Sequence, residues 1–293
     1  MRLGSIMIYK VLMILRGYPT CLVQRRYKIR FGRKLDFKEP QNFNEKILWL
    51  EKNWQNPLVV QCADKYRLRE YVRKVGLEGI MPKLYGTWEE ASQINWGALP
   101  NKFVLKCNHG AKWNIICTDK YTFNKAEAEK SLASWLKMDY GQKEFEVHYS
   151  YIKPVIFAEE YIEPTPEKLM PEDYKIYCFN GKPAFLLVCL ERETELELEW
   201  YDLDWNIFDI GVKPNKGKAR KPKSLQKMIS HAERLSKPFP FVRIDFYDKA
   251  GEPVLGELTF TPMYGMAKYY SEEGNKRIGE MLLLPSQYYH RYR

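Results

Sequence analysis

The chain has no CxxC pair among its six cysteines and no HExxH pattern among its four histidines, so neither a structural zinc site nor a disulfide framework is indicated. Most of the thiols read instead as buried residues of a reducing compartment. An apolar run long enough to cross a bilayer, about 20 residues, is missing too: the N-terminal stretch is broken by Lys10 and ended by Arg16. A signal peptide is not indicated either, because Lys10 interrupts the apolar stretch and no small-residue cleavage site precedes RRYKIRFGRK. Helix-turn-helix, RNP and zinc-finger patterns are missing, which argues against a nucleic-acid partner despite the basic charge. There is no internal repeat and no early βαβ rhythm. What remains is a cytoplasmic globular protein of 293 residues, 45% hydrophobic and 15% aromatic, with enough apolar mass for a real core.

Acid is lacking in one place above all. Residues 1–34 hold nine Lys/Arg and no Asp or Glu, which accounts for nearly all of the net charge of +10. The same stretch carries Ile6, Met7, Ile8, Val11, Leu12, Met13, Ile14 and Leu15. Basic and apolar together, it reads either as a segment lying on an anionic membrane surface at the inner face or as a helix docked on the core.

Further along, FNEKILWLEKNW (43–54) and ADKYRLREYVRKV (63–75) have apolar residues at helical spacing with interleaved charges, and predict two surface-facing amphipathic helices. Residues 80–100 read as irregular, punctuated by Pro82, Gly86, Gly97 and Pro100. Residues 101–120 give strand, loop and strand, and 125–138 a helix. A strand at VIFAEEYI, a Pro-rich turn at 164–171 and a hairpin turning at Asn180-Gly181 follow. The order is mixed α+β.

The segment FVRIDFYDKAGEPVLGELTFTPMYG carries the most chemistry. Alternation puts Arg243 and Asp245 on one face of a strand and Val242, Ile244 and Phe246 on the other, with turn chemistry from Asp248 to Pro253. Glu257 and Thr259 then project together from a second strand. Two carboxylates beside a guanidinium suit Mg2+ bridging phosphate oxygens and an oxyanion that needs neutralising; a hairpin with surface charges satisfies the same pattern.

Five ordered motifs, KFVLKCNHG, FAEEYIEP, DYKIYCFNGKP, VRIDFYD and GELTFTP, resemble ATP-grasp carboxylate ligases. The flanking FNEKILWLEKN and ADKYRLREYV segments resemble the TupA-like ATP-grasp proteins of bacterial surface-polysaccharide clusters, so that the resemblance spans about residues 35–270. It implies an α+β ATP-grasp fold holding ATP between two α+β subdomains, with a basic, partly helical N-terminal region (1–60). The ATP-grasp domain would be 61–293, divided into a nucleotide-closing subdomain at about 101–160 and a metal-binding subdomain at about 161–270.

The resemblance also implies roles. Lys106 and Lys175 would hold phosphates, and the loop Cys107–Trp113 would close over them through the backbone near Gly110 and through His109 and Lys112, although it is poor in glycine for that task. Glu159 and Glu160 would face the adenine amino group, the Ile162 amide a ring nitrogen, and Glu163 the ribose. Asp245 and Glu257 would hold Mg2+, with Thr259 standing where the family pattern has Asn, and Arg243 and Lys175 would serve the chemistry.

The implied reaction joins an acidic glycan, or its lipid-linked precursor, to an amine such as an amino acid through an acylphosphate. Two other classes stay open: a nucleotide-sugar glycosyltransferase using Asp202-Leu203-Asp204, and a non-catalytic nucleotide-binding scaffold. Seven Lys/Arg between Asp209 and Glu233 form a basic loop that either meets an acidic glycan or balances the six acids of ETELELEWYDLD upstream.

Overall fold

The computed structural model describes residues 18–164, 171–190 and 196–286. Residues 1–17 and most of the Pro-rich turn, 165–170, lie outside them, and so does most of the apolar part of the basic N-terminal segment.

The described part of that segment is docked on the core. Helix α1 (Thr20–Phe31) buries Val23 and Tyr27 and stops at Gly32, whose φ of 73° lets its N–H reach the Lys28 carbonyl. Arg26 pairs with Glu144 at 3.1 Å and Arg33 pairs with Glu45. Leu22, Arg25, Lys28 and Ile29 stay on its outer face.

Helix α2 (Phe43–Asn53), capped by the Asn42 side chain, is buried on almost every side rather than surface-facing. The physical reason is that its charges find partners inside the protein. Glu45 accepts from the Tyr27 hydroxyl at 3.1 Å, Glu51 pairs with His148 at 3.1 Å, and the Asn44 amide donates to the Ala267 carbonyl at 2.8 Å. Phe43 packs against Phe241 and Tyr270, with ring centroids 5.0 and 5.7 Å away, so residues placed in a separate N-terminal region share the main core.

The helix expected over 63–75 is split. Helix α3 (Pro57–Ala63) ends at Asp64, whose carboxylate accepts from the backbone N–H of Tyr66 and Arg67 at 2.9 and 3.0 Å, and α4 (Leu68–Lys74) then begins. This side-chain turn competes with continued helix and leaves Lys65 at the corner.

Two antiparallel sheets dominate. The first has the order β1-β4-β2-β3, from β1 (Leu84–Trp88), β2 (Phe103–Cys107), β3 (Asn114–Cys117) and β4 (Ile156–Glu159). β1 occupies a stretch expected to be irregular. The second has the order β7-β6-β5-β8-β9, from β5 (Asp173–Phe179), β6 (Lys182–Leu190), β7 (Glu197–Asp202), β8 (Phe241–Lys249) and β9 (Glu252–Thr259). The β5–β6 hairpin turns at Asn180-Gly181 as expected, with φ of 49° and 78°. The β8–β9 hairpin is tighter than the sequence suggested, turning on Ala250-Gly251 with φ of 55° and 91°.

Helix α5 (Lys125–Leu136) packs on the first sheet and α7 (Leu225–Ser236) on the second, with α6 (Tyr140–Glu144) between them in the chain and α8 (Glu272–Met281) against α2. One continuous apolar core runs beneath both sheets. Among the described residues, no helix is long and apolar enough to cross a membrane.

Candidate active site

A cavity of about 380 Å³ opens between the two sheets. Its walls come from β2 and β4 on one side and from β5, β8 and β9 on the other, and the corner after α3 and the loop at 111–114 help to enclose it.

The second sheet supplies a ladder of charge. Registration places Lys175 opposite Asp245, Asp245 opposite Glu257, and Arg243 opposite Thr259. The Arg243 guanidinium grips Asp245 with both arms, Nε to Oδ1 and Nη2 to Oδ2, each at 2.7 Å, and also donates to the Thr259 hydroxyl at 3.0 Å. Lys175 sits between Asp173 and Asp245, 2.5 Å from the latter. Burial opposes the charge on Lys175 and on Arg243, yet their carboxylate neighbours raise the pKa of both. Burial lifts Asp245 above the usual carboxylate range against the pull of Arg243 and Lys175. Glu257 goes the other way: burial is outweighed by Lys65, Arg243 and Lys175, which hold it well below that range.

Lys65, 3.1 Å from Glu257, is a site residue the sequence reading did not assign. Its segment, ADKYRLREYV, carried the family resemblance, but reading that segment as a helix hid the Asp64 turn that aims the lysine at the cleft. Arg69, helical as expected and outside the cavity lining, was missed because its partner Glu159 lies 90 residues away.

On the first sheet, Lys106 faces the cavity beside Val104 while Phe103, Leu105 and Cys107 are buried. Its ammonium meets Glu159 at 2.6 Å, and the other oxygen of Glu159 meets Arg69 at 2.8 Å. Burial would lower Lys106, but Glu159 raises it. Glu159 and Lys106 are diagonal neighbours across β2 and β4, and the carboxylate expected at the adenine has both oxygens paired, one with Lys106 and one with Arg69. Glu160 pairs with Lys249, and both Glu160 and Ile162 line the cavity. Glu163 pairs with Lys102 at 2.9 Å on the exposed surface and is not part of the lining.

The loop after β2 is divided. Lys112, held at a φ of 63°, lines the cavity, but His109 and Gly110 do not. His109 is buried with its ring 4.8 Å from that of Trp113 and its Nε2 3.2 Å from the Trp135 carbonyl, so the expected phosphate donor is a core residue; burial lowers its pKa. Gly110 makes room for Trp113, since a Cβ there would come within 2.6 Å of the indole.

By donor type the pair suits magnesium, which Asp245 would take by exchanging contacts with Arg243 and Lys175 that hold both its oxygens. Asp245 and Glu257 are hard oxygen donors on facing strand positions, and Mg2+ is commonly held by one or two carboxylates with phosphate oxygens and water completing its shell. Among the described residues, no group of three or more His, Cys, Asp or Glu forms a protein-only metal site.

Two other sequence candidates lie elsewhere. Asp202 closes a turn, accepting from the N–H groups of Asp204 and Asn206 at 3.0 and 2.8 Å, and neither aspartate lines the cavity. In the basic loop, Lys216 and Lys218 pair with Glu197, and Glu199 accepts from three backbone N–H groups of that loop, so upstream acids do balance part of it.

Solved structures similar to this chain include D-alanine–D-alanine ligase from Bacillus anthracis complexed with ATP, at 17% identity and a TM-score of 0.42 over 75% of this chain and 60% of that one. The ATP-grasp ligase PsnB complexed with a minimal precursor is similar at 12% identity and a TM-score of 0.42, over 78% of this chain and 62% of that one. D-alanine–D-alanine ligase from Helicobacter pylori is similar at 14% identity and 0.42, over 82% of this chain and 65% of that one. The chain therefore spans about three fifths of the length of these structures. No curated protein matches it. The TupA-like ATP-grasp family matches residues 45–283, a stretch that includes both sheets and every charged residue of the cleft described above, and the chain belongs to that family.

Proposed function

We propose that this protein is an ATP-dependent carboxylate–amine ligase, which joins an amino acid or other amine to a uronic-acid-containing surface polysaccharide or its precursor. The observation that carries the reading is the convergence of Lys106, Lys175, Arg243, Asp245 and Glu257 on one cavity, with Val104, Ile116 and Ile162 as an apolar wall for the base. Mg2+ held at Asp245 and Glu257 would neutralise phosphate charge and polarise the transferring phosphoryl group. Lys106, kept charged and oriented by Glu159, and Lys175 bind the phosphates. Arg243 would supply a fixed cation to the carboxylate attacking the γ-phosphorus and later to the tetrahedral oxyanion. The products are an amide, ADP and phosphate.

We extend the proposal to an anionic membrane surface met by residues 1–34 in the cytoplasm. Arg25 and Lys28 on the outer face of α1, flanked by Leu22 and Ile29, support it. Loss of sedimentation with anionic vesicles on deleting residues 1–17 would bear it out, and unchanged sedimentation would refute it.

Calorimetric titration with Mg-ATP and, separately, with Mg-UDP-sugars tests the main reading. Selective ATP binding weakened roughly 10- to 100-fold by Lys106→Ala, the loss of one charge-assisted phosphate contact, is expected. UDP-sugar binding indifferent to Lys106 would overturn it.

A further inference from the structure

The cleft has a second end, ordered by β8 and β9. Lys249, paired with Glu160, marks the nucleotide side; Tyr247 follows, then Asp245 opposite Glu257, then Arg243 opposite Thr259. Each two-residue step advances about 7 Å along a strand, and the next residue in this alternation is Thr261, past the end of β9. There the Thr261 hydroxyl donates to Oε1 of Glu146, a carboxyl only 6% exposed that nevertheless lines the cavity. Tyr140, Tyr149 and Tyr264 line the same end. Tyr264 is fixed in place: its φ of 60° and the 49° of Met263 are left-handed values costly for non-glycine residues, and the Arg26 guanidinium lies 5.3 Å from its ring centre.

We propose that this end of the cleft binds the amine substrate as its ammonium, against Glu146 and among the three tyrosine rings, and that Glu146 accepts the proton whose loss frees the nitrogen for attack. The inference rests on the ligase reading. Charge separates the two substrates. Lys65, Lys175 and Arg243 draw the acid to the middle of the cleft, whereas a second carboxylate beside Glu146 would be repelled. Buried aromatic rings with a carboxylate suit a cation, and Tyr149 already has the Lys65 ammonium 5.8 Å from its ring centre.

The surroundings of Glu146 also tune it for proton transfer. Burial pushes its pKa up to about 7, His148 and Thr261 pull it down, and Glu51 and Glu144 push it up. His148 is itself engaged by Glu51, and Arg26 by Glu144. Tyr140, Tyr149 and Tyr264 all have raised pKa values and stay neutral. A carboxylate of this kind can accept a proton near neutrality. In the step itself, one ammonium proton passes to Glu146 and the freed lone pair forms the C–N bond to the acylphosphate carbon. The acyl C–O bond breaks with its electron pair leaving on phosphate, which takes the second nitrogen proton.

The test is calorimetric titration of the full chain, saturated with Mg-ADP, with ethanolamine, a cation between about pH 5.5 and 8. Wild type should bind it with affinity rising about tenfold across that range. Glu146→Gln should weaken binding at pH 8 at least tenfold and flatten the profile, and Glu146→Asp should restore the rise. Absent binding, a flat wild-type profile, or indifference to Glu146→Gln would overturn the inference; should Glu146→Gln fail to fold, the wild-type profile and Glu146→Asp decide. Failure of Mg-ATP to bind would instead remove the ligase reading, so the two results are distinguishable.

Discussion

Glu257, with its side chain 32% exposed, and Glu146, 6% exposed, are carboxyls on the walls of one cavity, and their surroundings push them in opposite directions. Glu257 is held well below the carboxylate range and Glu146 is raised to about 7. Burial acts the same way on both; what differs is charge. Glu257 has Lys65 at 3.1 Å and Arg243 at 3.6 Å, while Glu146 has His148, itself engaged by Glu51, and the Thr261 hydroxyl pulling it down against the carboxylates Glu51 and Glu144. A carboxylate that stays ionised suits a metal and its phosphates, and one poised near neutrality suits proton transfer. On the proposed reading, the cleft would separate the two tasks along its length.

The strongest way to break the comparison is Glu257→Ala. Loss of one of two proposed metal carboxylates should lower ADP release by about 1000-fold or more, with the fold retained by circular dichroism. Near-normal turnover would mean that the end of the cleft holding Glu257 is not where the phosphoryl group transfers.

Stability against pH sharpens the comparison at a smaller scale. Glu257 has a depressed pKa when folded, so its contribution is present above the unfolded value of about 4.3 and is lost as pH falls below it. Glu146 has a raised pKa, so its contribution is complete below about 4.3 and is lost as pH rises through about 7. His148, also raised by Glu51 and Glu146 against burial, declines in the same direction, so the difference between wild type and Glu146→Gln reads Glu146 together with the part of the His148 shift that Glu146 causes. Unfolding free energies from urea titration between about pH 4 and 8 should therefore fall less steeply in Glu146→Gln than in wild type, by on the order of 3 kcal/mol over the range. Parallel curves would show that Glu146 is not held near neutrality.

Strand chemistry was legible in the sequence because its period is two. Alternation alone placed Arg243 with Asp245 and Glu257 with Thr259, and the registers of β8 and β9 bring the four together. Asn180-Gly181 fixed a hairpin for an equally local reason, the positive φ at both residues. Helix charges were not legible in the same way. Glu45 and Glu51 interleave with apolar residues as a solvated face would, but their partners Tyr27 and His148 lie 18 and 97 residues away, and no spacing rule reaches that far. His109 failed similarly: a histidine in a loop looks like a donor until Trp135, 26 residues on, takes it into the core. Glu146 carried no local signal, because the cleft residue it meets, Thr261, lies 115 residues away.

The smallest expected effect bounds the comparison from outside. Arg73 and Glu78 form an ion pair at 3.5 Å with side chains 70% and 71% exposed, away from the cavity lining. Water screens such a pair, and holding two long side chains in one geometry costs entropy that offsets the attraction. Glu78→Ala should therefore shift unfolding free energy by no more than about 0.5 kcal/mol and leave ADP release unchanged. An effect approaching that of Glu257→Ala would mean that charge count, and not burial beside the cleft, governs this protein, and the contrast between Glu257 and Glu146 would lose its cause.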